Sequence, residues 1–281
     1  MQRDAALVAN PACNGIVNLD AYFERVGWRG MRSPMYETLA GLLRAHMAAI
    51  PFENLDVLLG RRIRLDLEGL QAKLVDARRG GYCFEHATLF AAVLEELGFA
   101  PIRHSARVVL IIPRSASPRT HMFLSVPLGE GTFIVDPGFG VLAPRIPLPL
   151  VDGAKVSLDH DTHWMAKDGA FWVLRAETPE KTVDCWVSTL KPDNPVDFEM
   201  ANHYTSTHPD SGFVNRLMLR ALTRDGRVGV MNRDVTVWHG REAHASRLAD
   251  RAELRELLVE HFGFDLPEVE RLRVPSIPEW D

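Results

Sequence analysis

Hydrophobic residues recur at helical spacing over the first third of the chain. The apolar positions of LDAYFERVGW (19–28) share one helical face, and YETLAGLLRAHMAAI (36–50) repeats that pattern until Pro51. EGLQAKLVD (68–76) predicts a shorter amphipathic helix. The run from Cys83 to Leu97 is apolar almost all round and is followed by Gly98. It therefore predicts a buried helix with a glycine C-cap.

The hydrophobic period changes after about residue 100. Short segments rich in β-branched and aromatic residues follow one another, separated by Pro, Gly and Asp turns. They are RHSARVVLII, HMFLSVPL, TFIVD, HWMA, AFWVLRA and TVDCWVST. This spacing predicts the antiparallel strands of a barrel or sandwich. The proline-rich LAPRIPLPL (142–150) reads as a connector that runs over the surface.

A third, mixed region follows residue 200. FVNRLMLRALTRDGRVGVM predicts a hairpin that turns near Asp225–Gly226, and DRAELRELLVEHFGF predicts a final amphipathic helix. The chain therefore divides into a helical region over residues 1–99, a β-rich region over 100–200 and a mixed region over 201–281. Residues 1–16 read as a tail. The fold class is α+β.

Composition narrows the function classes. The chain has 281 residues, 46% hydrophobic and 25% charged, with a formal net charge of -5, which argues against a broad nucleic-acid or anionic-membrane surface. No apolar run is long enough to span a bilayer, and the amino terminus lacks a signal-peptide stretch, so we expect a cytoplasmic protein.

Cysteine usage argues against disulfides and metal. Cys13, Cys83 and Cys185 are the three cysteines, and they form no C-x-x-C pair, so neither a disulfide framework nor a structural zinc site is expected. The segment HDTH (160–163) is only a weak metal signal. We expect no metal.

Cys83 is a candidate nucleophile because of its place in RRGGYCFEHATLF (78–90). Gly80 and Gly81 permit a tight turn, and the predicted buried helix begins near Cys83. A thiol at a helix N-terminus lies at the positive end of the helix dipole, which favours the thiolate, and the free N–H groups there could hold an oxyanion. Structural cysteines are also commonly buried, so this segment alone leaves both interpretations open.

His121 and Asp136 could supply a base and the group that orients it. His121 opens the predicted strand HMFLSVPL, and Asp136 closes TFIVD. A carboxylate after so apolar a strand needs solvent or a partner, and an imidazole is one such partner. Taken singly, His121 also fits an edge histidine, and Asp136 fits a turn residue before Pro137–Gly138. The order Cys, His, Asp fits nucleophile, base and orienting group without fixing their geometry.

Several separated motifs resemble those of the arylamine N-acetyltransferase family. RGGYCFEH, THMFLSV and VDPGFG resemble the family's three triad segments, with the family's intervals of 38 residues from Cys83 to His121 and 15 from His121 to Asp136. IPFENLDVLLG (50–60), LDAYFERVGWRG (19–30) and STHPDSGF (206–213) match further stretches. The resemblance runs from about Leu19 to the end and thins after about residue 240.

The resemblance implies a fold and a site. The implied fold has three domains, a helical bundle, an antiparallel β-barrel and an α/β lid, around a cysteine-protease-like catalytic core. The implied catalytic triad is Cys83, His121 and Asp136. The implied substrate-binding residues are Phe52, Phe139 and Tyr204, and the implied coenzyme A-binding residues are Gly138, Gly140, Thr207 and Ser211. Near the site the chain departs from the family pattern at Ala87, where asparagine is frequent, and at Pro137, where an aliphatic residue is more usual.

The resemblance also implies an activity. Acetyl-CoA would acetylate Cys83, and the acetyl group would pass to an aromatic amine or hydrazine by a ping-pong mechanism. The expected partners are the small-molecule amine and coenzyme A, with the protein a monomer or homodimer. Three alternatives stay open: a macrolactam-forming amide synthase of the same family, a cysteine hydrolase with the same triad, and a binding protein in which Cys83 is structural. PFEN and STHP weigh against the hydrolase, and the triad intervals weigh against the binding protein.

Overall fold

A computed structural model describes residues 15–159, 161–178, 181–223, 226–240 and 242–280. Cys13, His160, Asp225 and nearly all of the expected tail therefore lie outside the described residues. Among the helices that the structure describes, none has the length and apolar character needed to cross a membrane.

The helical region agrees with the predicted periodicity. Asn18 caps the first helix with its side chain, and the helix ends at Gly27, which adopts a left-handed φ of 68°. The second helix ends just before Pro51, as expected. The helices are α1 (Leu19–Val26), α2 (Tyr36–Ala49), α3 (Leu55–Leu58), α4 (Leu67–Leu70, extended by a π-helical turn over Gln71–Asp76) and α5 (Cys83–Glu96).

Helix α5 is the centre of the molecule. Eleven of its fourteen residues are buried. The face that carries Leu89, Phe90 and Val93 packs into a cluster that also contains Leu124 and Val135 of the neighbouring β-sheet. Because this cluster spans both regions, the helices and the sheet share one core.

The β-rich region forms an eight-stranded antiparallel sheet that curls into a nearly closed barrel. Its strand order is β5-β4-β3-β2-β9-β8-β7-β6. The strands are β2 (Ile102–Val108), β3 (His121–Leu128), β4 (Gly131–Val135), β5 (Leu148–Pro149), β6 (Val156–Leu158), β7 (Asp161–Asp168), β8 (Phe171–Glu177) and β9 (Thr182–Ser188). Antiparallel pairing and short turns give the expected alternation of strands.

A second antiparallel sheet, the C-terminal sheet, has the order β1-β10-β11-β12-β13. Its first strand, β1 (Phe52–Glu53), comes from the helical region, so the sheet joins the helical region to the C-terminal region. The remaining elements are α6 (Pro195–Thr207), α7 (Gly212–Asn215), β10 (Met218–Thr223), β11 (Gly226–Met231), β12 (Asp234–His239), β13 (Glu242–Arg247) and α8 (Arg251–Leu257, continued by a π-helical turn over Leu258–Phe262). The predicted hairpin pairs Thr223 with Gly226.

Two expectations about the β-rich region are wrong. The strand predicted over RHSARVVLII ends at Val108, and Ile111 is 82% exposed. Its partner β3 begins at His121, opposite Ala106, so the later residues have no strand beside them on that side. The connector LAPRIPLPL does not simply cross the surface, since Leu148 is fully buried in the barrel core and pairs with Ile134. Burial of that leucine side chain is favourable enough to draw the segment into the sheet.

Candidate active site

Cys83 is the first residue of α5. It is 2% exposed, and the turn before it is fixed by backbone hydrogen bonds from Gly81 N to the Pro51 carbonyl at 3.2 Å and from Glu53 N to the Gly81 carbonyl at 2.9 Å. A Cβ on Gly80 would lie 2.1 Å from the Pro51 oxygen, so only glycine fits this position. The sulfur therefore meets the unpaired N–H groups of the first helical turn.

His121 and Asp136 come together because β3 and β4 pair antiparallel. Leu124 lies opposite Val135, so the start of β3 and the end of β4 meet at one edge. His121 Nε2 lies 2.8 Å from Asp136 Oδ2, and both side chains are buried. This leaves His121 Nδ1 for the Cys83 thiol, whose influence on the pKa of His121 marks the two side chains as neighbours. The thiol also donates to the Thr120 carbonyl, at 3.7 Å.

Asp136 has two further donors. Trp186 Nε1 donates to Oδ2 at 2.9 Å, and Gly138 N approaches Oδ1 at 3.4 Å. Trp186 stacks on Phe123 with ring centroids 4.2 Å apart, so its indole is held in place. These donors hold the carboxylate in position, which is what orienting an imidazole requires. Trp186 was not singled out from the sequence.

The charge of Asp136 sets the protonation of His121. Burial alone would lower the pKa of His121, but the charge and hydrogen bond of Asp136 and the contact with Cys83 outweigh it and raise the pKa to about 10. His121 is therefore an imidazolium at neutral pH. A cation beside the sulfur stabilises the thiolate form.

The loop after Asp136 lies against the nucleophile. A Cβ on Gly138 would be 2.6 Å from Cys83 Cα, so the glycine allows the loop to touch the start of α5. Gly140 has a φ of 78° and lies beside the Phe52 ring. Phe139 packs edge-on against His121 with ring centroids 5.0 Å apart. Gly138, Phe139, Gly140 and Phe52 thus surround the triad.

The other residues expected from the resemblance lie farther along the chain surface. Tyr204 is half-buried on α6 and stacks on His208 at 4.3 Å. Thr207 is exposed at the end of α6, where it donates to the His203 carbonyl, and it lines a cleft of about 1160 Å³. Ser211 is buried, donates to the Thr205 carbonyl and caps α7. Their roles toward substrate or coenzyme A stay predictions.

That cleft lies beside the triad. It is lined by residues 60–67, α5 and α6, and its lining includes Met122 and Phe198, which pack in one cluster with Cys83. Cys83, His121 and Asp136 do not line it. Phe213, which the sequence did not single out, packs 5.3 Å from the Tyr82 ring and 6.2 Å from the Phe52 ring. These aromatic side chains form the apolar surroundings of the sulfur.

A buried ion cluster holds the turn before Cys83. Arg79 donates to Glu53 at 2.6 Å and to Asp56 at 3.3 Å, while Lys73 contacts Asp56 at 2.9 Å and Glu85 at 2.7 Å. Glu85 also accepts from the N–H of Tyr82, the residue before the nucleophile. Burial raises the pKa of Glu85 to about 7, against the lowering effect of Lys73. No pattern along the chain indicated this cluster, because its members are spread over some thirty positions.

A chain of hydrogen bonds runs from α1 to the same turn. Tyr22 OH lies 2.9 Å from His46 Nδ1, His46 Nε2 lies 2.9 Å from His86 Nδ1, and His86 Nε2 lies 3.2 Å from the Pro51 carbonyl. That carbonyl only accepts, so His86 Nε2 donates and the other protons follow in order from Tyr22. Burial lowers the pKa of His86 to about 4, which keeps it neutral.

The other candidate cysteine and histidine, Cys185 and His163, lie in environments that indicate a structural role. Cys185 is fully buried in the barrel, and burial raises the pKa of its thiol to about 12. His163 Nε2 bonds to the Leu142 carbonyl at 3.0 Å. Across the described ranges, no three His, Cys, Asp or Glu side chains are grouped as metal ligands.

A helix-terminal thiol joined through an imidazole to a buried carboxylate is the geometry with which cysteine enzymes form acyl-thioester intermediates. Comparison with known proteins gives the family. A family model described as N-acetyltransferase matches residues 36–271. The arylamine N-acetyltransferase of Mycobacterium tuberculosis H37Rv is 37% identical over 258 residues, covering 90% of this chain and 91% of that protein. That of Escherichia coli K12 is 36% identical, covering 89% and 90%.

Solved structures agree. The M. smegmatis arylamine N-acetyl transferase superposes with a TM-score of 0.86 at 36% identity, covering 94% of this chain and 98% of that one. The Mycobacterium marinum arylamine N-acetyltransferase in complex with CoA gives 0.85 at 33% identity, covering 90% and 94%. The chain therefore belongs to the arylamine N-acetyltransferase family, and the α+β fold class is confirmed.

Proposed function

We propose that this protein is an acetyl-CoA:arylamine N-acetyltransferase in which Cys83 carries the acetyl group. The observation that carries the assignment is the buried His121–Asp136 hydrogen bond beside Cys83 at the N-terminus of α5. Membership of the family supports acetyl-CoA as donor and an aromatic amine as acceptor. A cytoplasmic location and a monomeric or homodimeric state belong to the same proposal.

The first half-reaction acetylates Cys83. His121 takes the proton of the Cys83 thiol as the sulfur attacks, and Asp136, which raises the pKa of His121 to about 10, stabilises the resulting imidazolium. The sulfur attacks the carbonyl carbon of acetyl-CoA, and the N–H groups at the start of α5 stabilise the oxyanion. The bond from that carbon to the sulfur of coenzyme A breaks, and His121 protonates the leaving thiolate. One thioester replaces another, so little free energy is needed.

The second half-reaction delivers the acetyl group. The amine nitrogen attacks the carbonyl carbon of acetyl-Cys83, and the neutral His121 accepts the proton that the nitrogen loses. The carbon–sulfur bond breaks, the amide leaves, and the thiolate–imidazolium pair is restored. Asp136 stabilises the imidazolium each time it forms. Phe139 beside His121 and the burial of Cys83 favour an aromatic amine over water as the acceptor.

Intact-mass measurement tests this proposal. The protein is incubated with acetyl-CoA alone, and one acetyl adduct is expected, which an added aromatic amine then removes. Cys83→Ala should abolish the adduct, whereas Cys185→Ala, a matched change of the other described cysteine, should keep it. An adduct that survives Cys83→Ala would contradict the mechanism.

The same experiment separates the alternatives. Loss of the adduct as fast without amine as with it would favour a cysteine hydrolase. An adduct that forms but resists small aromatic amines, and is discharged only within a tethered substrate, would favour the macrolactam-forming amide synthase. Binding without any adduct would favour a structural Cys83.

A further inference from the structure

Arg220 is a buried cation without a partner. It lies in β10 and is 6% exposed, and its guanidinium makes no hydrogen bond or ion pair with another residue in the described part of the chain. Its Nη1 is buried and unsatisfied. An unpaired guanidinium inside a protein is strongly unfavourable, so such a group calls for a counterion.

The neighbouring carboxylate of Asp161 already pairs with two other arginines. Asp161 accepts from Arg227 through Oδ1 at 2.9 Å and contacts Arg145 through Oδ2 at 3.2 Å. Arg145 also reaches Asp159, which is largely exposed. Three guanidinium groups thus share one sheltered carboxylate. Burial and then the charge of Arg227 lower the pKa of Arg220, Asp161 opposes them and Arg145 adds to them; the pKa falls to about 9, which still leaves Arg220 charged at neutral pH.

A small cavity lies beside Arg220. Its volume is about 20 Å³, and it sits where the helical region, the barrel and the C-terminal sheet meet. The cavity is lined by Arg220, Phe52, His86 and Gly140. Apolar side chains, including some at the end of α2, complete the lining. Both ring nitrogens of His86 already have partners. The cavity has room for one water-sized or halide-sized guest but not for a phosphate group.

We propose that Arg220 and this cavity form a binding site for a single monatomic halide ion, chloride under ordinary conditions. The guanidinium supplies the charge and the free N–H donors, and the apolar walls exclude larger, more hydrated anions. Arg145, Arg220 and Arg227 outnumber the carboxylates of Asp159 and Asp161 by one, so the local charge is positive. The site binds the ion reversibly, and no covalent bond forms or breaks.

The halide ion also supports the loop of the active site. Arg220 lies opposite Phe52 across the pair of strands β1 and β10, and Phe52 contacts Gly140. Gly140 follows Phe139, whose ring packs on His121. Neutralising Arg220 therefore stabilises the junction on which residues 137–140 rest. Binding to the folded state alone raises the melting temperature by mass action.

Thermal unfolding of the full chain tests the site. Melting is followed in sodium chloride, in sodium bromide and in sodium gluconate of equal ionic strength, since gluconate is too large to enter. We expect the halides to raise the melting temperature of the wild type by about 2–5 °C at saturating concentration. Arg220→Met should lose this shift, while Arg175→Met, which removes a half-exposed arginine from β8, should keep it.

Bromide also reports the position directly. Crystals grown in sodium bromide should show an anomalous peak within about 3.5 Å of the Arg220 guanidinium. Absence of that peak, or a halide shift that Arg220→Met retains, would overturn the proposal. Should Arg220→Met fail to fold, Arg220→Gln and the bromide peak decide instead. A melting shift that coenzyme A gives, that halides do not give and that Arg220→Met loses would assign Arg220 to the acyl donor and would also overturn the halide site.

Discussion

The start of α5 and the middle of β9 each bury a cysteine, and their surroundings differ. Cys83 is 2% exposed, and Cys185 is fully buried. Cys83 meets the N-terminus of a helix and a histidine held in the charged form. Cys185 lies in a strand. Burial is the main cause that raises the pKa of its thiol, the charges of Asp136 and Asp184 raise it further, and the pKa reaches about 12. Burial is common to both thiols, and the helix N-terminus and the charged histidine distinguish the surroundings of Cys83.

The two regions also cooperate. β9 carries a β-bulge, because Leu174 pairs with Trp186 and Arg175 with Asp184, so Cys185 is the extra residue. In a regular strand neighbouring side chains point to opposite faces, but here Cys185 and Trp186 both enter the barrel core. The bulge lets β9 place an indole on Asp136 while it buries a thiol that takes no part in the triad.

The largest effect is expected from replacing Cys83, compared with the same replacement at Cys185. Cys83→Ala should lower kcat/KM for acetyl transfer by about 10⁴-fold or more, since it removes the nucleophile. Cys185→Ala should leave kcat within about twofold and reduce the free energy of unfolding by about 1–2 kcal/mol through the small cavity it creates. Steady-state kinetics and urea unfolding of both variants measure this. Equal losses of activity would mean that the two thiols do not differ as described.

The second-largest effect is expected from Asp136→Asn. The amide cannot stabilise the imidazolium, so kcat should fall by about 10³–10⁴-fold. Folding should persist, because the amide oxygen can still accept from Trp186 Nε1 and only the long contact from Gly138 N loses its acceptor. Single-turnover acetylation followed by mass spectrometry measures the loss, and circular dichroism checks the fold. Activity within tenfold of the wild type would show that Asp136 is not the orienting group.

The His121–Asp136 pair should also appear in the pH dependence of stability. The pKa of His121 is raised from its ordinary value of 6.5 to about 10 in the folded state. Its contribution is therefore fully present below pH 6.5, declines as pH rises from 6.5 to 10, and is lost above 10. We expect the wild type to exceed Asp136→Asn in free energy of unfolding by about 3–5 kcal/mol near pH 6. Denaturant unfolding from pH 6 to pH 10 should show the gap closing; a constant gap would contradict the assignment.

Trp186→Phe should have the smallest effect. It removes one of the two donors to Asp136 Oδ2 while keeping an aromatic ring on Phe123. We expect kcat to fall by about tenfold, with about 1–2 kcal/mol lost in stability. Trp172→Phe, on the adjacent strand of the same barrel, is the matched control and should leave kcat unchanged. Similar kinetics for both variants would remove Trp186 from the site.

The elements of the triad were largely readable from the sequence. The apolar run after Gly80–Gly81 predicted α5 and placed Cys83 at its start. Short segments rich in β-branched and aromatic residues predicted β3, which begins at His121, and β4, which Asp136 follows directly. Local signals of this kind depend on residues that are neighbours in the chain. Tyr204, Thr207 and Ser211 came from the family pattern alone, and their ligand contacts stay predictions.

The sequence alone determined the helical and strand periods, the family and the three residues expected to react, since motif spacing and hydrophobic pattern are local properties of the chain. The tertiary structure decided which groups surround them. The bulge that turns Trp186 toward Asp136, the ion cluster of Arg79, Lys73 and three carboxylates, and the unpaired Arg220 all depend on contacts between distant segments. Charge and hydrogen bonding act through space, so no pattern along the chain could reveal them.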